Sequence, residues 1–231
     1  MPTHKEVYES HAAEYEALVA REDYQGNILK AVREIAPPEG LDVLDLGAGT
    51  GRLAALLAPL ARRVMAFDLS DHMLRTARDK LRRLRPRSAW LAAAADHRYL
   101  PLRAAVADVV VSGWSVSYVV TWYPESWRRE ADAWRLEAQR VLRSGGTIVL
   151  FESLGTGNEA PTRLPHLEDF YGWLAENRFQ NRWIRTDYRF DSLEQAEQLA
   201  GFFFGEEMKP RIQRGNSITL PECTGVWWTQ I

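Results

Sequence analysis

The stretch VLDLGAGTGRLA, residues 43–54, decides how this chain is read. An apolar run of strand character passes directly into Gly47, Gly49 and Gly51, and helical sequence resumes behind them. Glycines at such a junction let the backbone turn sharply and approach a ligand with no Cβ in the way. The N-terminus of the following helix favours a negative group. Asp68 closes the next apolar run, VMAFD, about 20 residues after the loop, where an acid can accept hydrogen bonds from ribose hydroxyls. Asp96 follows a third run in AADHRYLPL. In an open parallel sheet these three elements converge at the carboxyl edge, where the strand order reverses.

The spacing separates two kinds of ligand. A dinucleotide site reads G-x-G-x-x-G, its third glycine permitting close helix packing around a pyrophosphate. Here the pattern is G-x-G-x-G with Asp45 just before it. An acid there is poorly suited to pyrophosphate and well suited to a cationic amine.

Outward from this motif, strands and helices alternate. Residues 4–36 read as helical with a break near Asp23. Val7, Tyr8, His11, Ala12, Tyr15, Leu18 and Val19 form one face, and Ile28, Leu29, Val32 and Ile35 another. Pro37-Pro38-Glu39-Gly40 stops the second helix. Strands are expected at 41–47, within 61–70, at 88–95, 107–114 and 147–153. Helices are expected from Thr50 to Ala61, after a Ser70 cap, and over 125–143, ending at Gly145-Gly146. Pro86 ends the Ser70-capped helix. Such alternation predicts an α/β fold with a doubly wound parallel sheet. After Ser153 come a Gly/Pro-rich loop (155–166), an aromatic-rich helix, an alternating strand at 183–190, a Ser-x-x-Gln capping box at 192–195 opening a helix through Phe204, and a last strand at 223–231.

Composition narrows the class. Lys plus Arg number 29 against 31 Asp plus Glu, so the basic excess of a general nucleic-acid coat is missing. A single cysteine, Cys223, excludes an internal disulfide framework and a cysteine-based metal cluster. No metal is expected. The start MPTHKEVYES lacks an apolar segment and no run approaches ~18 apolar residues, so neither a signal peptide nor a membrane span is expected and the cytoplasm is the default compartment. The basic run Arg78, Arg82, Arg83, Arg85 and Arg87 reads as a solvated helix end, and Trp127 and Trp134 as core.

Taken together, VLDLGAGTGRLA, VMAFDLSDHML, AADHRYLPL, ADVVVSGWSVSYV and QRVLRSGGTIVLFES make residues 40–153 resemble class I S-adenosylmethionine-dependent methyltransferases, in the small-molecule branch that includes ubiquinone/menaquinone-biosynthesis-like enzymes. The resemblance implies one domain with a Rossmann-like seven-stranded sheet in order 3-2-1-4-5-7-6, strand seven antiparallel, and helices on both faces. Its parts would be an N-terminal helical cap (1–38), a cofactor-binding core (39–153), a substrate-side insertion (154–181) and a C-terminal strand–helix–strand (182–231).

The resemblance also implies roles. Gly47, Ala48, Gly49, Thr50 and Gly51 would run along the methionine moiety, and Asp45 would support its ammonium. Asp68 would hold the ribose, with Leu69 and Met73 near the adenine. Asp96 would bond the adenine amino group, with His97 beside it. Ser112, Gly113 and Trp114 would border the sulfonium, and Tyr15 would cover the site from the N-terminal helix. Trp114, Tyr118, Trp122 and Tyr171 are the expected substrate wall, with Gly155–Trp173 as a mobile lid over it. Many family members carry a histidine where this chain has Tyr118. The candidates for a catalytic group are Tyr118, His97 and Glu152, none of them a compelling base. The expected reaction is methyl transfer to an oxygen or nitrogen of a small or medium-sized organic molecule, by proximity and desolvation. The alternatives are a protein or peptide acceptor, or a cofactor-binding module without turnover. The sequence does not name the substrate or reveal the oligomeric state.

Overall fold

The computed structural model describes residues 6, 10–84 and 87–231. Val7 and Tyr8 of the expected first helical face, and Arg85 and Pro86 after the fourth helix, lie outside the described residues. The elements run α1 (Ala12–Val19), α2 (Asn27–Ile35), β1 (Asp42–Leu46), α3 (Arg52–Leu57), β2 (Arg63–Asp68), α4 (Asp71–Leu84), β3 (Ala89–Ala94), β4 (Ala107–Gly113), α5 (Tyr118–Trp122), α6 (Trp127–Val141), β5 (Leu142–Thr156), α7 (Glu168–Glu176), β6 (Gln180–Arg185), β7 (Tyr188–Phe190), α8 (Leu193–Phe204), β8 (Gln213–Arg214), β9 (Ile218–Leu220) and β10 (Glu222–Gln230).

Seven strands form one sheet in the order β3-β2-β1-β4-β5-β10-β6. The first five are parallel, and β10 runs antiparallel to both β5 and β6. This is the 3-2-1-4-5-7-6 order that the resemblance implied. Strand residues alternate between two cores because side chains project to opposite faces with period two. Val43, Val64, Val109, Val149 and Phe151 meet α2, α3 and α4 on one face. Leu44, Met65, Val110, Ile148, Leu150 and Trp227 meet α6 and α7 on the other. A third cluster joins Leu18 of α1 to Tyr188, Phe190, Ala196, Ala200 and Leu220.

Local chemistry explains several boundaries. Asp23 takes a left-handed φ of 57°, and its carboxylate accepts the N–H groups of Asn27 (2.7 Å) and Ile28 (2.9 Å), capping α2. Ser70 Oγ accepts the Met73 N–H (3.2 Å) and caps α4. Ser192 Oγ accepts the Gln195 N–H, while Gln195 reaches back to the N–H of Asp191 rather than to the cap residue itself.

Four expected boundaries differ. Helix α3 is shorter than Thr50–Ala61, because Gly51 holds a left-handed φ of 79° and Pro59 has no N–H to continue the ladder. Helix α6 stops at Val141, before Gly145-Gly146. Those glycines instead join β5, where Gly145 donates to the Ile231 carbonyl and accepts Gln230 Nε2. The expected strand 183–190 is two strands. At its break the Asp187 carboxylate takes both Arg185 and the Glu222 N–H, so β6 stays with the main sheet and β7 turns into a second, three-stranded sheet with β9 and β8.

The fourth difference concerns Gly155–Trp173. Phe170, Trp173 and Leu174 of α7 are buried in the same cluster as Trp134, and Tyr171 stacks on Trp227 at 4.9 Å. In place of a lid, the aromatic face of this helix is core. Trp134, fully buried, is the centre of that cluster, whereas Trp127 is only partly buried. Replacing Trp134 with alanine should cost about 3–5 kcal/mol, the range for large-to-alanine changes in a packed core. A denaturant titration with an unchanged slope and a lower midpoint would register it, and an unshifted midpoint would contradict the packing.

Candidate functional site

The glycine loop is held from both sides. Gly47, Gly49 and Gly51 have φ of 74°, 53° and 79°, a region open to glycine and costly for other residues. The Gly47 and Ala48 N–H groups both donate to the Phe67 carbonyl (2.8 and 3.0 Å), fastening the loop to the end of β2. A Cβ on Gly47 would sit 1.9 Å from Ser115 Oγ, and one on Gly51 2.7 Å from Ala77 Cβ. The Asp68 carboxylate accepts the Gly49 N–H with one oxygen and the Ser70 N–H with the other, each at 2.8 Å. Each oxygen keeps a second lone pair.

Beside this loop lies a cavity of about 750 Å³. There Asp45 Oδ2 accepts the Ala54 N–H (2.9 Å), while its Oδ1 is buried with no partner among the described residues. Thr50 Oγ1 is likewise buried and unpartnered. Burial pushes the Asp45 carboxyl up to about 7. An acceptor so desolvated and unpaired, on a cavity wall, fits an ammonium group. Burial also raises the Asp68 carboxyl.

The cavity brings together most of the residues singled out in the sequence. Tyr15, Asp45, Gly47, Ala48, Gly49, Thr50, Asp68 and Leu69 line it on the side of the glycine loop and β2. His97, Gly113, Trp114, Tyr118 and Trp122 line the rest. Burial pushes the His97 imidazole down to about 4, so it is neutral at pH 7. Tyr118 and Trp122, one helical turn apart, stack at 5.2 Å.

Six of the expected residues lie outside the lining. Gly51 packs on Ala77 and caps α3. Met73 is buried beneath Gly49, and Ser112 is buried with its hydroxyl donating to the Leu46 carbonyl (2.6 Å). Asp96 is taken by Arg98, whose Nε and Nη2 both reach the carboxylate. Glu152 accepts both the N–H and the hydroxyl of Ser117. Tyr171 donates to the Ser153 carbonyl and sits on Trp227, which places it in the packing of α7 rather than on the substrate wall.

Arg52, Leu53, Ser70, Ala95 and Ser115 line the cavity without having been singled out for it, and Tyr123, one of the aromatics expected to wall a pocket, lines it too. Arg52 ion-pairs with buried Glu22 and lies flat over Trp114, 3.8 Å from the ring centroid. Tyr188 also donates to Glu22 (3.0 Å). One available signal was position: a cation in the first turn of a helix opposes the helix dipole, which points to a compensating partner. Arg98 likewise donates to Tyr123 (3.2 Å) and is ion-paired with Glu130. Ser115 and Tyr123 meet the site only through the turn after β4, a non-local arrangement.

With this geometry in hand, the comparisons with known proteins can be read. The family described as "Methyltransferase domain" matches residues 44–150, the segment that builds the loop, β1–β4 and most of β5. Residues 44–150 thus resemble a methyltransferase domain. A malonyl-[acyl-carrier protein] O-methyltransferase of Geobacter sulfurreducens is 35% identical over 151 residues, 63% of this chain and 51% of that one. A demethylmenaquinone methyltransferase of Clavibacter sepedonicus is 37% identical over 120 residues, 52% of this chain and 44% of that one. The chain thus spans about half the length of these curated relatives. Among solved structures, a SAM-dependent methyltransferase from Aquifex aeolicus shares the fold, with a TM-score of 0.52 at 17% identity over 88% of this chain and 89% of that one.

An ammonium-bearing ligand paired with the orphaned Asp45 oxygen would bind in a pH-dependent way. Below about 7 the carboxyl of the free protein takes up a proton, and that proton must leave before an ammonium can pair with it. S-adenosylhomocysteine affinity should therefore fall about tenfold between pH 8 and pH 6, and Asp45→Asn should flatten the profile. Stability of the free protein moves the other way. A carboxyl raised to about 7 contributes stability that is fully present below its unfolded value and is lost as pH rises through 7. Calorimetric titrations and thermal melts over this range check both signs. Gly47→Ala should weaken the same binding at least tenfold, since its Cβ meets Ser115 and its φ is left-handed.

Proposed function

We propose that the protein transfers the methyl group of S-adenosylmethionine to an oxygen or nitrogen of a small, uncharged aromatic acceptor. The observation that carries this reading is one cavity that holds both the unpaired Asp45 oxygen and the Asp68 carboxylate and an aromatic wall of Trp114, Tyr118 and Trp122. Its volume of about 750 Å³ lies within the ~300–1,000 Å³ usual for small-molecule sites.

In this reading Asp45 pairs with the cofactor ammonium, Asp68 accepts ribose hydroxyls, and the Gly47–Gly49 backbone lies along the methionine moiety. When bound, S-adenosylmethionine supplies a sulfonium-activated methyl carbon, so the acceptor–carbon bond forms as the carbon–sulfur bond breaks. The chain's contribution is orientation and the exclusion of water. Well-oriented reactants can recover up to roughly 7–11 kcal/mol of a barrier. His97, neutral and pushed down to about 4, is a poor receiver for a full proton, so the acceptor proton passes to solvent. Tyr118 and Trp122 offer the acceptor a flat face.

The relatives divide between two acceptors: a malonyl group on a carrier protein and a menaquinone precursor. The charges at this cavity favour an uncharged acceptor over a carboxylate. Arg52 already neutralises Glu22 and covers Trp114, and nearby Arg98 is bound to Asp96 and Glu130. A carboxylate entering here loses its hydration and meets cations that are already paired, which is costly.

A turnover assay with labelled S-adenosylmethionine against catechol and against malonyl-coenzyme A tests the reading. Methylation of catechol is expected, and Trp122→Ala should raise the KM for it at least tenfold with S-adenosylhomocysteine affinity unchanged. Methylation of the malonyl thioester alone would overturn the aromatic assignment. A failure to bind S-adenosylhomocysteine would overturn the whole reading.

A further inference from the structure

The turn between β4 and α5 carries the cavity residues Trp114 and Ser115 and leads into a third, Tyr118, and its own backbone is irregular. Trp114, which opens it, has a left-handed φ of 49°, a costly conformation for a side chain of that size. The short helix it leads into has no side-chain N-cap of its own, since Ser117 makes no capping bond within the helix. Something outside the turn must therefore fix it.

Glu152, on the neighbouring strand β5, is that group. It is 2% exposed, so its carboxylate is all but out of solvent. The Ser117 N–H donates to Oε1 at 3.0 Å and the Ser117 hydroxyl to Oε2 at 2.7 Å. The Val116 and Ser115 N–H groups add further favourable interaction with the same carboxylate. One carboxylate thus holds Ser117 by two bonds. The Trp114 N–H meanwhile donates to the Phe151 carbonyl (2.7 Å), so the turn is tied to β5 at two adjacent points. On its other side the turn presses Ser115 against Gly47, with no room for a Cβ between them. Glu152 does not line the cavity, and its oxygens are committed to the turn.

We propose that Glu152 is a positioning residue: it clamps the 115–118 turn so that Ser115 buttresses the glycine loop and Tyr118 stands on the acceptor wall. It sets the rate of methyl transfer without touching cofactor or acceptor. Both oxygens accept here, and an amide of equal size replaces one acceptor with a donor, so it holds this turn less firmly. The functional half of the proposal rests on the methyltransferase reading above, whereas the clamp itself does not.

Glu152→Gln separates the two. Amide hydrogen exchange should accelerate at least tenfold at residues 115–118 and stay unchanged in β1 and β4. S-adenosylhomocysteine affinity should stay within about threefold, while kcat with the catechol acceptor falls at least tenfold and the KM for S-adenosylmethionine is unchanged. Ser117→Ala, which leaves the carboxylate in place and removes one donor, should give a smaller shift in the same direction and serves if the first variant does not fold. Unchanged exchange in the turn for the folded variants would overturn the clamp. A loosened turn with wild-type kcat would overturn its role in transfer. Faster exchange throughout the sheet would show a structural role alone and would equally overturn it. If the wild-type protein neither binds S-adenosylhomocysteine nor turns over, the methyltransferase reading fails and the exchange experiment still judges the clamp.

Discussion

One hydrogen bond organises the site: the Gly49 N–H donating to the Asp68 carboxylate. It joins the loop after β1 to the end of β2 and fixes the curvature of the glycine turn. Asp68 ties the loop and the start of the next turn together with one carboxylate, one oxygen to each. The three left-handed glycines, the close approach of Ser115 and the packing of Ala77 all follow from a loop drawn down onto that anchor. The cavity is what remains above it.

Around this anchor the chain accepts an unusual number of buried acids. Asp45, Glu152 and Glu222 are all pushed up by burial, to about 7, 7 and 8. A buried polar group is tolerated where hydrogen bonds compensate it. Glu152 has that compensation from the turn after β4, and Glu222 part of it from Ser153. Asp45 has it for one oxygen only, as Glu222 does. What sets Asp45 apart is that it lines the cavity.

The first five strands were legible because each is a buried apolar run bounded by glycine, proline or a capping residue. Such local signals survive in a sequence without knowledge of the partners. Asp45 and Asp68 were legible for the same reason, their spacing from the glycines being local. Tyr171 was not: its neighbourhood in sequence is aromatic, but α7 turns that face onto Trp227 and the core around Trp134. Arg52 lies within the decisive motif, yet its role depends on Glu22 and Trp114, which arrive from before the sheet and from after β4. The break between β6 and β7 depends on Asp187 meeting Arg185 and the N–H of Glu222, a residue far along the chain.

The placement of β10 has a bearing on how the molecule is assembled. In the main sheet β6 pairs only with β10, and β10 is inserted between it and β5. A segment emerging in chain order therefore makes β6 before the strand that will hold it exists. Until β10 arrives, β5 offers an open edge and β6 has no hydrogen-bonded neighbour in that sheet. Exposed edges of this kind recruit foreign strands, and pairings distant in sequence form slowly. The interval between β6 and β10 is thus the vulnerable moment of folding. Asp187, gripping Arg185 on one side and the start of β10 on the other, is the residue best placed to shorten it.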